Sequence, residues 1–191
     1  FEKYTGRTDG TKAPYGFSIK NHVGYINDET GYAGIFGQSE NDGTCLALAE
    51  NIDNNLTVKK ELDVQIQNNA FVFESSLKIC DLNCDRLINI GSCNEDAVHI
   101  AKQTGKMFIF GNDTGFSLDT DKWYKIKLHC TFATGECSLS VFDASGKLFT
   151  ARFEKAFEDL SSVDKIELSL ENYSPLYGNK TKMLIDNINI Y

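Results

Sequence analysis

Two tyrosines and an asparagine crowd the segment Asn172-Tyr173-Ser174-Pro175-Leu176-Tyr177, stiffened by Pro175. A pyranose ring carries an apolar C–H face rimmed by hydroxyls, so an aromatic ring beside an amide side chain suits it. The segment predicts a sugar-binding loop made by Asn172, Tyr173 and Tyr177; the plainer alternative is a loop that covers the edge of the core. Trp123, the single tryptophan, opens a strand-like run and is either a stacking platform or a packing residue. A polar surface is the next candidate. If the strands align as their alternation suggests, Glu74, Lys78, His99, Lys125, Lys127, His129 and Glu167 share the wet face of one sheet. That face is either a ligand groove or ordinary solvated surface. Carboxylates also stand at the two ends of the chain, Glu2 in the first strand-like run and Asp186 in the last, and Asp28 lies in the loop Asn27-Asp28-Glu29-Thr30-Gly31. Ca²⁺ takes six to eight oxygens from carboxylates, carbonyls and water. Glu2 and Asp186, with Asn27 or Asp28, are therefore the expected ligands of a structural rather than catalytic ion; the alternative is that Asp186 hydrogen-bonds a turn and Glu2 is solvated.

Those residues need a scaffold, and the rest of the sequence describes one. Apolar and polar residues alternate with period two over long runs. Phe71, Phe73, Ser75, Leu77 and Ile79 fall on one face, against Val72, Glu74, Ser76 and Lys78 on the other. Tyr124, Ile126, Leu128 and Cys130 alternate with Trp123, Lys125, Lys127 and His129; Ile166, Leu168 and Leu170 alternate with Lys165, Glu167, Ser169 and Glu171. This is the pattern of antiparallel strands with one buried and one wet face. Turn dipeptides such as Thr104-Gly105, Gly111-Asn112, Thr134-Gly135 and Ser145-Gly146 punctuate the runs. About a dozen strands are expected, with one short helical turn over 157–161. No Pro/Gly/Ser-rich linker or charge block divides the 191 residues, so one domain over 1–191 is expected.

Composition narrows the partners. The net charge of −8 argues against nucleic acid and against anionic membranes, both of which call for basic surface. No apolar run is long enough to span a bilayer. The chain begins at Phe1 and reads as an excised module or mature segment of a larger protein. Six cysteines at 45, 80, 84, 93, 130 and 137 permit 15 pairings. Cys80/Cys84 and Cys130/Cys137 each flank a turn and are placed to bridge locally, with free, packed thiols as the alternative.

The stretch Lys122-Trp123-Tyr124-Lys125-Ile126-Lys127-Leu128, followed by Thr134-Gly135 and by Val141-Phe142-Asp143-Ala144-Ser145-Gly146, resembles a hairpin of concanavalin A-like and laminin-G-like sandwiches. Ile185-Asp186-Asn187-Ile188 resembles the closing strand of many carbohydrate-binding modules. The resemblance implies an all-β, two-sheet antiparallel jelly roll. It also implies a calcium held between an acidic residue of the first strand, here Glu2, and the aspartate of the last, here Asp186. Glu61-Leu62-Asp63-Val64-Gln65 resembles the catalytic strand of the laminarinase and lichenase family, but Gln65 stands where the family has its second glutamate. Glutamine does not titrate, so the two-carboxylate mechanism loses its proton donor. Alginate lyases of this fold need a Gln-x-His strand; Gln65-Ile66-Gln67 lacks the histidine. The expectation is therefore a non-catalytic, lectin-like carbohydrate-binding module, monomeric, carried by a secreted or cell-surface multidomain protein and binding a polysaccharide. The alternatives are a laminin-G-like adhesion module for a protein partner, or a polysaccharide lyase or hydrolase.

Overall fold

The computed structural model describes residues 18–21, 31–36, 45–50, 55–67, 69–171 and 181–191. The described residues form fourteen strands and no helix. In chain order they are β1 (Ser18–Asn21), β2 (Gly31–Phe36), β3 (Cys45–Glu50), β4 (Leu56–Ile66), β5 (Ala70–Ile79), β6 (Asp85–Ile90) and β7 (Val98–Ile100). There follow β8 (Lys106–Ile109), β9 (Asn112–Ser117), β10 (Trp123–Thr131), β11 (Glu136–Asp143), β12 (Gly146–Phe153), β13 (Val163–Glu171) and β14 (Thr181–Ile190). The helical turn expected over 157–161 is absent: the segment runs through bends, with Phe157 and Leu160 buried.

Two seven-stranded antiparallel sheets stack face to face. Sheet I has the order β1-β4-β13-β6-β7-β8-β9, and sheet II the order β12-β11-β10-β5-β14-β3-β2. The expected all-β, two-sheet sandwich is what the chain adopts. Alternation sets the packing. Phe71, Phe73, Leu77 and Ile79 of β5 and Ile126 and Leu128 of β10 point inward from sheet II. Val58, Ile88, Ile100, Ile166 and Leu168 point inward from sheet I, and all join one cluster. Each large side chain taken out of water contributes about 1.5–3 kcal/mol.

The turn dipeptides mark real reversals. Thr134-Gly135 joins β10 to β11, where Gly135 has φ +65° and an added Cβ would lie 2.2 Å from the Phe157 carbonyl oxygen. Only glycine fits both the left-handed backbone and that close approach.

In β14 the alternation slips by one residue. Ile185 pairs with Leu77 and Ile190 with Phe73, both on the core side, and the register shifts between Asp186 and Asn189. Asn187 is the extra residue, with φ +52°, a region that asparagine tolerates better than most. The bulge is internally satisfied. The Asn187 N–H donates to Asp186 Oδ1 at 2.8 Å, and the buried Ser75 hydroxyl donates to the Asp186 carbonyl at 3.2 Å. Ile188 and Ile190 thereby face the core while Asn189 faces out.

At one end of the sandwich a cation bridges the sheets. Arg86 of β6 is fully buried on the core side. It donates to the Cys84 carbonyl at 2.7 Å, to Asp81 Oδ1 at 2.7 Å and to Thr181 Oγ1 at 3.1 Å. Asp81 also accepts from the Thr181 hydroxyl at 2.7 Å, the Lys182 N–H at 2.7 Å and the Asn83 N–H at 2.9 Å. Arg86 Nε has no hydrogen-bond partner. Removing one partner of a buried pair leaves the other charge uncompensated. Asp81→Ala is therefore expected to lower stability by about 3–5 kcal/mol, read from the urea midpoint. A loss under about 1 kcal/mol would mean that the guanidinium finds solvent instead.

Candidate functional site

The residues expected to share one wet face divide between two. Glu74, Lys78, Lys125, Lys127 and His129 lie on the outer face of sheet II, whereas His99 and Glu167 lie on the outer face of sheet I. Period two fixes which side of a strand a residue occupies, but not which sheet the strand joins.

On sheet II the polar residues bind one another. Glu74 meets Lys127 Nζ at 2.6 Å and Lys125 Nζ at 3.2 Å, and accepts from the Tyr191 hydroxyl at 3.2 Å. The bond from Lys127 holds the Glu74 carboxyl below the usual carboxylate range. His129 is exposed and sits opposite Ser138 and Val72. Trp123 packs against the cluster of Cys45, Ala47 and Leu184 and is half-buried.

On sheet I a different arrangement emerges. Side chains directly opposite each other make a row across the strands: Ser169 to Leu87, Leu87 to His99, His99 to Phe108, Phe108 to Asp113. The His99 and Phe108 rings stack with centroids 5.5 Å apart, both half-exposed. Lys106 Nζ lies 5.6 Å above the Phe108 ring and is paired with Asp113 at 2.6 Å. Next to this row are the carboxyls. Asp85 receives His99 Nε2 at 3.2 Å and the Lys102 N–H at 2.9 Å. Asp96 bonds Asn89. Glu171 lies opposite Asp85, and Glu167 opposite Asn89. From β6 to β9 the row spans three strand spacings, about 15 Å.

The electrostatics concentrate on this face. The hydrogen bond to Asp85 raises the His99 imidazole above its ordinary value, and the Asp96 and Glu171 charges add to it. Burial pushes the Glu171 carboxyl up, helped by the nearby charges of Asp96 and Asp85. Burial likewise raises Asp96, opposed by its bond to Asn89. The face thus groups two carboxyls that burial makes easier to protonate with a histidine that its carboxylate partner makes easier to protonate.

Sequence reasoning named His99 but missed Phe108, Asn89, Asp85, Asp96 and Glu171 as its neighbours. Of these, Phe108 lies on β8, whose four residues are too few for alternation to show, and Asp96 lies in the loop before β7; Asp85, Asn89 and Glu171 lie on β6 and β13, where alternation gives the face but not the neighbouring strand. Glu2, Asp28, Asn172, Tyr173 and Tyr177 lie outside the described residues. Asp186 borders a cavity of about 470 Å³ between the sheets, lined by Lys60, Leu62, Ile166 and the β14 bulge. Its Oδ1 accepts the Asn187 N–H. Among the described residues no group of three or more His, Cys, Asp or Glu side chains is placed to hold a metal.

Comparison with solved structures bears on this architecture. The catalytic domain of a glycoside hydrolase family 131 protein from Coprinopsis cinerea superposes with a TM-score of 0.58 at 8% identity, over 80% of this chain and 71% of that one. A family 7 alginate lyase in complex with substrate gives 0.57 at 11%, over 88% and 83%. The lectin UEA-II complexed with galactose gives 0.54 at 9%, over 95% and 96%. The fold is the concanavalin A-like jelly roll. No protein-family model and no curated protein matches the sequence. The jelly roll is thus shared with lectins and with carbohydrate-cleaving enzymes alike, at identities that speak for architecture alone.

The His99–Asp85 pair in this jelly roll has a pH signature. His99 gains its partner only on folding, so its folded value is raised. The stability it contributes is fully present below its ordinary value of 6.5 and is lost as pH rises through the folded value. The stability gap between the wild type and His99→Gln, from urea melts, is expected to be widest near pH 6 and to shrink towards about pH 9. A gap that widens with pH would contradict the pairing.

Proposed function

We propose that this jelly roll is a non-catalytic carbohydrate-binding module whose ligand, a neutral glycan, lies on the outer face of sheet I. The observation that carries this reading is the half-exposed Phe108–His99 stack set among Leu87, Asn89 and Asp96. A ring offers its face to sugar C–H groups, and amide and carboxyl groups accept or donate to the hydroxyls around it. The charge of the patch supports the choice of ligand. Asp85, Asp96 and Glu171 outnumber His99, and Lys106 is committed to Asp113, so a polyuronate would meet repulsion. Tyr173 and Tyr177 follow Glu171 closely in sequence and belong to the proposed site as additional stacking residues, with Asn172 beside them. The module would sit in a secreted or cell-surface protein and direct it to a polysaccharide. A structural Ca²⁺ held by Asp186 with Glu2 and Asp28 is part of the same proposal.

Binding on a glycan array, followed by titration of the best neutral oligosaccharide, tests this reading. Phe108→Ala and His99→Ala are each expected to weaken affinity at least about tenfold, some 1.4 kcal/mol. His129→Ala and Lys125→Ala on sheet II should change nothing. The reverse pattern would move the glycan to sheet II, and a protein partner bound with no glycan bound would favour the laminin-G-like alternative. For the metal, chelator should lower the melting temperature; an unchanged melt would remove calcium from the proposal.

One observation favours a second reading, a carbohydrate-cleaving enzyme. Burial raises both Glu171 and Asp96 beside His99, and the Asp96 charge adds to the rise of Glu171. Carboxyls raised in this way serve as general acids. Incubation of the best-bound polysaccharide with the protein distinguishes the two. The module leaves it intact. New reducing ends or unsaturated products, abolished in Glu171→Gln, would establish the enzyme.

A further inference from the structure

Cys130 ends the inward row of β10, and Cys137 opens the inward row of β11. The two are direct cross-strand partners in the hairpin register, with Thr131 opposite Glu136 closing the turn. Both are fully buried, and their sulfurs lie 3.0 Å apart. Directly opposed residues of an antiparallel pair have Cα atoms about 4.5–5.5 Å apart, inside the range of about 4.4–6.8 Å that a disulfide spans. A bond therefore needs the sulfurs to close by only about 1 Å, with the backbone in place. The other cysteines of the chain are arranged differently. Cys84 Sγ contacts the Thr181 hydroxyl at 3.1 Å, and Cys45 and Cys80 lie on the outer side of sheet II around Leu184. Only Cys93, in the loop after β6, is a third sulfur near enough for Cys130 to feel its charge.

We propose that Cys130 and Cys137 form a cross-strand disulfide when the chain folds in the presence of a small-molecule disulfide oxidant, clamping the β10–β11 hairpin. One cysteine, as thiolate, attacks the oxidant RSSR, forms a mixed disulfide and expels RS⁻. The second loses its proton and attacks the protein-bound sulfur, forming the Cys130–Cys137 bond and expelling the second RS⁻. Two electrons pass from the protein thiols to the oxidant, and the two protons released end on two RSH. Burial makes the Cys130 thiol hard to ionise in the folded state, and both sulfurs are enclosed away from a dissolved oxidant, so the bridge forms while the hairpin is still open, and the folded protein protects whichever state it closes on. The bond removes freedom from the unfolded chain around a loop whose ends are seven residues apart. It also joins the edge pair β11–β12 covalently to β10, whose other neighbour β5 lies at the centre of sheet II.

The test refolds the whole chain with glutathione disulfide and, in parallel, with excess reduced thiol. The oxidised sample is expected to lose two of its six titratable thiols, and non-reducing peptide mapping should find residues 130 and 137 in one linked species. The melting temperature should rise by roughly 5 °C or more over the reduced sample. Native protein given the same oxidant should react far more slowly than refolding protein. In Cys130→Ala/Cys137→Ala the oxidant should no longer shift the melt. Should that variant fail to fold, the oxidised and reduced wild-type samples decide alone. Six free thiols after oxidative refolding, or a bridge from Cys93 to either partner, would overturn the proposal.

Discussion

Arg86 is the point at which the sandwich is both weakest in principle and most tightly specified. A guanidinium cannot shed its charge, so burying it obliges the surroundings to supply acceptors in fixed places. Asp81, the Cys84 carbonyl and Thr181 do so, from the turn before β6 and from the start of β14. The network thus ties a strand of sheet I to a strand of sheet II at one end. A hydrophobic core is tolerant of small slides, because apolar contact has no direction. A hydrogen-bonded cation is not. Arg86 faces inward between Asp85 and Leu87, which face outward, so fixing the one aims the other two.

The candidate site inherits that constraint. Asp85 can hold His99 only if β6 keeps its register with β7, and the Phe108 ring stacks on His99 only if β7 keeps its register with β8. Each of these strands is short and half-wet, and alone would pair weakly. Anchoring β6 from inside the sandwich gives the row a rigid border. The raised carboxyls on the same face follow from the same crowding: β13 brings Glu171 opposite Asp85, so burial and like charge act together. Sheet II shows the contrast. Its Glu74 is surrounded by two lysines and a tyrosine hydroxyl, and is stabilised as the anion.

Much of this scaffold was legible in the sequence. The runs through β5, β10 and β13 are long enough for period two to announce strand and face at once, and the turn dipeptides mark the hairpins at Gly111, Gly135 and Gly146. Three things were hidden. Alternation carries no information about sheet membership, so His99 and His129 were expected together and stand on opposite sides of the molecule. The slip in β14 is written in the spacing of Ile185, Ile188 and Ile190, but reads as a bulge only once Asn187 is seen with positive φ. Arg86, next to Asp85 in the sequence, looks like any exposed charged residue, because what permits its burial, Asp81 and Thr181, comes partly from the far end of the chain. The site was legible in His99: Phe108 sits on a four-residue strand and Asp96 in a loop, while Asp85, Asn89 and Glu171 join it through strand pairings that alternation does not disclose.

The position of β14 has a consequence in time as well as in space. It lies between β5 and β3, and no other described strand joins the β2–β3 pair to the rest of sheet II. Until β14 emerges during synthesis, β5 and β3 each present an open edge with unpaired backbone groups. Among the described strands, the two parts of sheet II, β12-β11-β10-β5 and β3-β2, must therefore wait apart, and the sheet becomes continuous only when β14 inserts. Such long-range closure makes folding slow and leaves the nascent chain dependent on protection from edge-to-edge pairing.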